Sequence, residues 1–331
     1  MTIFLYIGVI VLNTLILFNS NIIAKVINVY DIPNEDRKYH SHHVPLIGGL
    51  FILVNIIFYF FFQLFINDFS IYNKLPINLL VGSFFFFILG MYDDKFNIKP
   101  NIKLILSVIF LITIIYFDND ILLKYIIAPP HNTIYPLLNL SFPVTILCFL
   151  LFINALNMFD GINLQCGVYV SIVFIIFIIE GIFPIFSLAM LISLIFFLIL
   201  NFNGKIFLGD NGVLCLGFIL SYIFIHDHNT YFHFSIEEIF LLMYLPGLDL
   251  CRVAFFRAIN KKHPFSPDRS HIHHYFTTRF SDFYSHLLIT LLAFVPYALN
   301  LWLDIPYIII ISSIIIYSCI IFYFKRHISS N

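Results

Sequence analysis

Four aspartates lie where long apolar runs of the sequence end: Asp93, Asp94, Asp160 and Asp210. Ionisable residues in such places are costly and typically functional. Carboxylates and the asparagines beside them are oxygen ligands that suit a hard cation, above all Mg²⁺, which proteins bind through one or two carboxylates plus substrate phosphates. The Arg and His side chains nearby suit phosphate oxygens. These residue types indicate metal-assisted phosphoryl transfer at a membrane surface.

The same residues fall in five polar stretches, and we expect these stretches to build one shared site. Scattered solvated loops are the simpler alternative. The five stretches are Asp31–Gly49, Gly90–Lys103, Asn154–Asn163, Asn203–Gly212 and Asp249–His274.

The composition predicts the kind of fold that positions these five polar stretches. Of the 331 residues, 61% are hydrophobic and only 11% charged, whereas soluble proteins carry about 25% charged residues. A soluble enzyme, a disordered chain and a nucleic-acid binder with a basic patch are therefore excluded. Apolar runs such as Leu104–Phe117 lack the alternation of a β-barrel, and inside lipid only helices satisfy their own backbone over such runs.

We therefore predict an all-α, polytopic membrane protein with one catalytic domain over residues 1–331. A span needs about 20 apolar residues. Eleven runs qualify, the third and eighth being short: Ile3–Phe18, Leu46–Ile66, Ile77–Tyr92, Ile102–Phe117, Phe142–Phe159, Gly167–Ile182, Pro184–Phe202, Val213–Ile225, Ile236–Phe256, His286–Leu303 and Ile305–Phe324.

The basic residues predict the orientation. With the N-terminus outside and the C-terminus cytoplasmic, all 17 Lys and Arg residues except Lys74 and Lys124 lie on the cytoplasmic side, as the positive-inside rule requires. The five polar stretches then share the cytoplasmic face. The long outer connection Asp118–Ser141 contains three prolines and is predicted to be an irregular loop.

Five motifs, in order along the chain, resemble those of the polyprenyl-phosphate N-acetylhexosamine-1-phosphate transferases of glycosyltransferase family 4, which include undecaprenyl-phosphate GlcNAc-1-phosphate transferases. The H-x-H-H form of the last motif is similar to the aminosugar-phosphate branch. One departure is Asn163, where the family commonly has a second acid. The motifs are Asp31-x-Pro33-Asn34-x-x-Arg37-Lys38-x-His40, Asp93-Asp94 followed by Lys103, Asn154-x-x-Asn157-x-x-Asp160-Gly161, Phe207-x-Gly209-Asp210-x-Gly212, and Asp249, Arg257 and Asp268-Arg269-x-His271-x-His273-His274.

The resemblance implies transfer of an N-acetylhexosamine-1-phosphate from a UDP-sugar donor to a polyprenyl phosphate acceptor in the inner (cytoplasmic) membrane, with release of UMP. It implies Mg²⁺, or Mn²⁺ in its place, held by Asp210 with Asn157 as a neutral second ligand.

The lipid bilayer is the expected partner and nucleic acid is not; a homodimer is also compatible with the resemblance. The implied catalytic residues are Asp93, Asp94, Lys103, Asp160, His271, His273 and His274. The implied substrate-binding residues are Asn34, Arg37, Lys38, His40, Asn154, Asn163, Phe207, Asp249, Arg257, Asp268 and Arg269.

Several alternatives stay open at this point. Adjacent helical residues point about 100° apart, so Asp93 and Asp94 are not expected to share one role, and either could be a helix cap. A transporter would need polar groups or broken helices near the midplane, for which Pro246 and Pro296 are the obvious breaks. An intramembrane aspartyl protease would need two facing acids. The identity of the sugar is not predicted.

Overall fold

The computed structural model describes residues 2–33, 42–65, 76–128, 133–261 and 270–328. Most of these residues are helical. The helices are α1 (Thr2–Ile27), α2 (Gly49–Phe65), α3 (Ile77–Phe96), α4 (Pro100–Phe117), α5 (Ser141–Phe159), α6 (Gln165–Glu180), α7 (Pro184–Phe202), α8 (Gly209–Thr230), α9 (Ile236–Ile259), α10 (Ile272–Thr277), α11 (Asp282–Leu303) and α12 (Pro306–Ile328).

The length and apolar composition of these helices identify a multi-pass membrane protein. Within the described ranges, nine helices are long and apolar enough to cross a membrane, and α2 and α6 are shorter apolar helices of 17 and 16 residues. Together these fall on the eleven predicted runs. The helical membrane class is thus confirmed, whereas the count of eleven spans and their orientation stay predictions.

The third and eighth predicted runs, which are short, belong to longer helices in the structure. Helix α3 continues to Phe96 and includes the aspartate pair, and α8 begins at Gly209 rather than Val213. Charged residues can stay helical there because they find partners at the same end of the bundle. Helices α9 and α11 run unbroken through Pro246 and Pro296, the two positions at which the transporter alternative would place its breaks.

Short strands tie the loops at both ends of the bundle. Strand β1 (Tyr30–Asp31) pairs antiparallel with β2 (Val44–Pro45), and Leu46 forms a parallel bridge with Phe207. At the other end, β3 (Tyr125–Ala128) pairs antiparallel with β4 (Thr133–Pro136). The irregular loop predicted over residues 118–141 is therefore wrong where the structure describes it. Pro136 ends β4, and both strands of this two-stranded sheet are edge strands, which accept proline. Pro129 and Pro130 lie outside the described residues.

Helix α8 lies at the centre of the bundle and α3 packs along it. In the most apolar 18 residues of α8, 89% are buried, against 22% in α1. The backbones of the two helices approach closely at Gly90, where an added Cβ would lie 2.3 Å from the Asp210 carbonyl oxygen. Only glycine permits this approach. It brings the last turn of α3 against the first turn of α8, and hence Asp93 and Asp94 beside Asp210.

Candidate active site

A polar pocket of about 970 Å³ opens at the end of the bundle where α8 begins. Four of the five polar stretches contribute to its wall, and the fifth lies directly behind it. The lining residues include Tyr30, Asp31, Asp93, Asp94, Lys95, Asn157, Asp160, Asn163, Asn201, Phe207, Asp210 and Asp282. Four of the stretches expected to build one site therefore meet at one pocket, and that they form one functional site stays a prediction.

Lys103 joins two of the aspartates at the base of the pocket. Its Nζ lies 2.6 Å from Asp93 Oδ2 and 2.8 Å from Asp210 Oδ2. Asn157 Nδ2 donates to the other Asp210 oxygen over 2.9 Å. Lys103 reaches them because Pro100 begins α4, which places the lysine in its first turn. One amine thus holds two carboxylates in place, and in a partly buried site such a pair interacts more strongly than in water.

The two adjacent aspartates point in different directions, as helical geometry predicts. Asp93 Oδ1 accepts the Ile98 backbone N–H over 2.9 Å. Asp94 instead accepts the backbone N–H groups of Asp210 and Asn211 over 2.9 and 3.0 Å, and the Asn211 side-chain amide over 2.6 Å. Asp94 therefore caps the N-terminus of α8 from a different helix. Unsatisfied amides and the helix dipole both favour a carboxylate there.

Asp160 terminates α5 on a second wall of the pocket. Its backbone N–H donates to the Leu156 carbonyl, and the turn that follows is fixed by Asn201, whose Oδ1 accepts the Leu164 N–H over 2.7 Å. Burial and, next, the nearby Asp210 carboxylate raise the pKa of Asp160 to about 7. A carboxyl group with this pKa binds or releases a proton near neutral pH and would lose the proton readily beside a bound cation.

The histidine segment lies behind Asp160 rather than in the pocket wall. His271 and His273 are only 5% and 3% exposed, and an added Cβ on Gly161 would meet the His273 ring at 2.0 Å. Burial, reinforced by the two neighbouring imidazoles of His274 and His271, lowers the pKa of His273 to about 3. His273 is therefore a neutral imidazole at pH 7. None of these three histidines is among the described residues that line the pocket.

The remaining predicted residues divide into those near the pocket and those not described. Asn163 and Phe207 line the pocket, and Asn154 lines a cavity of about 50 Å³ beside Lys103. Asp249 and Arg257 are both 3% exposed beside His271. The predicted binding residues outside the described ranges are Asn34, Arg37, Lys38, His40, Asp268 and Arg269.

The donor chemistry of the pocket fits a hard divalent cation. Its described lining holds six aspartates, at positions 31, 93, 94, 160, 210 and 282, against Lys95 in the lining and Lys103 at the base. An anionic phosphate substrate would be repelled by these carboxylates unless a cation intervened. Among the described residues, no three His, Cys, Asp or Glu side chains converge as a complete metal site.

Sequence reasoning missed two asparagines that shape the site. Asn211 Oδ1 accepts the Gly49 N–H while its Nδ2 donates to the Leu46 carbonyl, which joins α8 to the first polar stretch. Asn201 bridges Leu164 and the Ile206 carbonyl. Asn211 lies within a quoted polar stretch and could have been singled out, whereas Asn201 precedes that stretch and its bond to Leu164 joins residues 37 positions apart.

Comparison with known proteins points to one family. The family model described as "Glycosyl transferase family 4" matches residues 76–227, which contain the four site aspartates, Lys103 and Asn157. The chain is 29% identical to a "Probable undecaprenyl-phosphate N-acetylglucosaminyl 1-phosphate transferase" of Bacillus subtilis (strain 168), over 76% of this chain and 70% of the relative. It is also 29% identical to an "Undecaprenyl-phosphate alpha-N-acetylglucosaminyl 1-phosphate transferase" of Escherichia coli O157:H7, over 87% of this chain and 80% of the relative. A relative of the same printed name from Yersinia pestis is 27% identical, over 84% and 77% of the two chains.

Proposed function

We infer the reaction from one premise: the chain belongs to glycosyl transferase family 4. We propose that it transfers an N-acetylhexosamine-1-phosphate from a UDP-sugar to a polyprenyl phosphate, as the first membrane step of cell-surface polysaccharide synthesis. A phosphate oxygen of the acceptor attacks the β-phosphorus of the donor. The bond between that phosphorus and the oxygen that leaves with UMP breaks, and the product is a lipid diphosphosugar.

One observation carries this proposal: Asp93, Lys103, Asn157 and Asp210 meet at the base of one pocket, at the end of a bundle of apolar helices. A polyprenyl chain can stay in lipid while its phosphate reaches that end of the bundle. The pocket wall can then hold the soluble nucleotide-sugar from the aqueous side. This arrangement needs no separate soluble domain.

We assign the cation, Mg²⁺ or Mn²⁺ in its place, to Asp210 and Asn157. When bound, it would offset the charge of the diphosphate and of the departing UMP. Lys103 orients Asp210 and Asp93, and Asp93 is the member of the aspartate pair that faces the reacting phosphates. Asp94 holds the α8 N-terminus in place, and Asp160 binds on the nucleotide side. The histidine segment supports the wall formed by Asp160 and Gly161.

The rival functions fit the site less well. A proton-sharing acid pair is the core of an aspartyl protease, but here an amine lies between Asp93 and Asp210. A transporter requires polar groups near the middle of the membrane, whereas the described pocket lies at one end of α8. Neither alternative accounts for the family membership.

The test is donor-dependent release of UMP by the purified protein. We expect release only when undecaprenyl phosphate, Mg²⁺ and the correct UDP-N-acetylhexosamine are all present. UDP-GlcNAc is the first donor to try, because the relatives are named for it; UDP-GalNAc and other 2-acetamido sugars complete the panel. A folded preparation that releases no UMP with any of these donors would contradict the proposal.

We further propose that the pocket faces the cytoplasm of the cell, in the inner membrane. In a variant with the exposed Cys251 and Cys319 replaced by serine, Lys261→Cys should resist an impermeant thiol reagent in intact cells. The matched Lys124→Cys variant, at the opposite end of the bundle, should react. The reverse pattern would overturn the orientation.

A further inference from the structure

A buried polar network lies behind the histidine segment, and part of it comes from the last long helix. Its four side chains are Asp249 and Arg252 on α9, His271 just before α10, and Tyr317 on α12. Asp249, His271 and Tyr317 are 3%, 5% and 4% exposed. Neither Arg252 nor Tyr317 has a part in the site described above.

Tyr317 contributes the contacts that join α12 to this network. Its hydroxyl donates to Asp249 Oδ1 over 2.7 Å and accepts the Arg252 Nε–H over 2.6 Å. Arg252 Nη2 donates to the same Asp249 oxygen over 2.7 Å and to the Ser270 carbonyl over 2.5 Å. The tyrosine therefore fixes both members of a buried ion pair, and buried polar groups that lose a partner are strongly destabilised.

Asp249 passes this constraint to the histidine segment. Its second oxygen, Oδ2, lies 2.8 Å from His271 Nδ1, and the Ile272 N–H lies 3.2 and 3.3 Å from the two carboxylate oxygens. The Asp249 carboxylate thus binds both His271, just before α10, and Ile272, the first residue of that helix. Any rotation of the Asp249 carboxylate would release both bonds together.

From His271 the constraint reaches the wall of the pocket. The rings of His271 and His273 stack with centroids 5.8 Å apart and an interplanar angle of 7°. His273 in turn occupies the space beside Gly161 that a Cβ would need, next to Asp160. A contiguous set of contacts therefore runs from α12 to the pocket wall.

We propose that Tyr317 is a positioning residue, which acts through Asp249 and Arg252 to hold the histidine segment against Gly161 and Asp160. The proposal rests on the transferase function inferred above, because the wall it supports is the predicted nucleotide side of that site. It assigns the last long helix a role in the reaction although none of the quoted motifs lies on it.

The direct test removes one hydroxyl and keeps the ring. Tyr317→Phe preserves the ring that Arg252 packs over, 5.9 Å from its centroid. Tyr323→Phe is the matched control, because Tyr323 also lies on α12 and accepts a bond from an arginine, Arg279, but is 49% exposed. In the UMP-release assay we expect kcat to fall about tenfold in Tyr317→Phe, as for loss of one hydrogen bond to charged groups, and to stay unchanged in Tyr323→Phe.

A second readout does not depend on turnover. Diethyl pyrocarbonate acylates accessible neutral imidazoles, and peptide mass spectrometry gives the rate at each histidine, with the exposed His42 as the internal reference. We expect His271 and His273 to react about tenfold faster in Tyr317→Phe than in wild type, and at the wild-type rate in Tyr323→Phe. If Tyr317→Phe is not recovered folded, Arg252→Lys takes its place in the experiment. The lysine retains the charge but cannot bond both Tyr317 and Asp249 as the guanidinium does, so the same increase is expected.

The outcomes separate this proposal from the proposed function. Faster acylation together with reduced kcat supports both. Faster acylation in a protein whose wild type transfers no sugar phosphate would leave the positioning intact and overturn the function. Wild-type acylation rates in folded Tyr317→Phe or Arg252→Lys would overturn the positioning role, whatever the turnover.

Discussion

Helix α8 carries an aspartate near each end, and the surroundings of the two differ. Asp210, in the first turn, has a side chain 30% exposed to a pocket and shares Lys103 with Asp93. Asp227, near the last turn, is 1% exposed, and its two oxygens meet His233 Nδ1 at 2.6 Å and the Phe234 N–H at 3.4 Å. Asp210 is therefore accessible and shares the Lys103 amine with Asp93, whereas Asp227 is covered by the groups that it bonds.

A second carboxylate lies at each end of α8, Asp118 at the enclosed end and Asp160 at the pocket end, and these two also differ in their surroundings. At the enclosed end, Asp118 accepts from the Tyr222 hydroxyl over 2.5 Å and from Asn78 over 3.0 Å. At the pocket end, Asp160 has its pKa raised to about 7 by burial and by Asp210. The pocket carboxylates also accept hydrogen bonds, but six aspartates line the pocket against Lys95 in its wall and Lys103 at its base, which leaves a surplus of negative charge there. A surplus of this kind is typical of sites that complete themselves with a cation and a substrate.

The largest of the three effects that follow is expected from Lys103→Met. The substitution removes the amine between Asp93 and Asp210 and leaves both carboxylates without their common partner. We expect kcat to fall about 10²–10³-fold, the size of effect found when one preorganised charged contact is lost from an active site. UMP release measures it. The exposed Lys205→Met is the control, and wild-type turnover in Lys103→Met would remove the lysine from the site.

A smaller loss of turnover is expected from Gly90→Ala, a variant that tests whether the close approach of α3 to α8 assembles the pocket. The added methyl would lie 2.3 Å from the Asp210 carbonyl oxygen and 2.4 Å from the Asn211 nitrogen, so α3 and α8 must separate. Misplacement of this size can reduce turnover by up to about 10²-fold, and overpacking costs about 1–3 kcal/mol of folding stability.

Gly247→Ala is the matched control for this prediction. It also lies in a long helix, but among the residues that the structure describes no atom lies within 4 Å of its added Cβ. Thermal melting and UMP release should show little change in Gly247→Ala. Equal turnover in the two alanine variants would contradict the argument from close approach.

The smallest effect is a dependence of stability on pH. The folded-state pKa of Asp160 is about 7, above the usual value of about 3.9 for an unfolded aspartate. Ionisation of Asp160 therefore disfavours the folded state, and stability should fall as the pH rises from about 4 to about 7. Without a divalent cation, we expect the melting temperature to be a few degrees lower at pH 8 than at pH 5.5.

Two comparisons test whether Asp160 contributes to the difference in melting temperature between pH 5.5 and pH 8. Asp160→Asn should reduce the difference measurably, because the amide does not ionise, while the other aspartates of the pocket account for the rest. Added Mg²⁺ should stabilise the wild type more at pH 8 than at pH 5.5, since a cation favours the ionised carboxyl group. An unchanged pH dependence in Asp160→Asn would exclude this group as its cause.

The sequence was sufficient for the helical class and for the stretches that meet at the pocket, because apolar runs and clustered charges are local signals. It also predicted that Asp93 and Asp94 would point apart. It could not show that Asp94 caps α8, because that bond depends on the close crossing at Gly90. The contact of Tyr317 with Asp249 was equally hidden, since it joins residues 68 positions apart on two apolar helices.

Under the proposed function, the accessible end of α8 does the chemistry and the enclosed end stabilises the fold. The most direct test compares Asp210→Asn with Asp227→Asn for Mg²⁺-dependent release of UMP from UDP-GlcNAc or the donor found active, with undecaprenyl phosphate as acceptor. We predict that Asp210→Asn melts like the wild type but loses at least about 10³-fold in kcat. Asp227→Asn should lose about 1–3 kcal/mol of stability and keep the kcat of its folded fraction. Wild-type turnover in Asp210→Asn, or loss of turnover in folded Asp227→Asn, would contradict the claim.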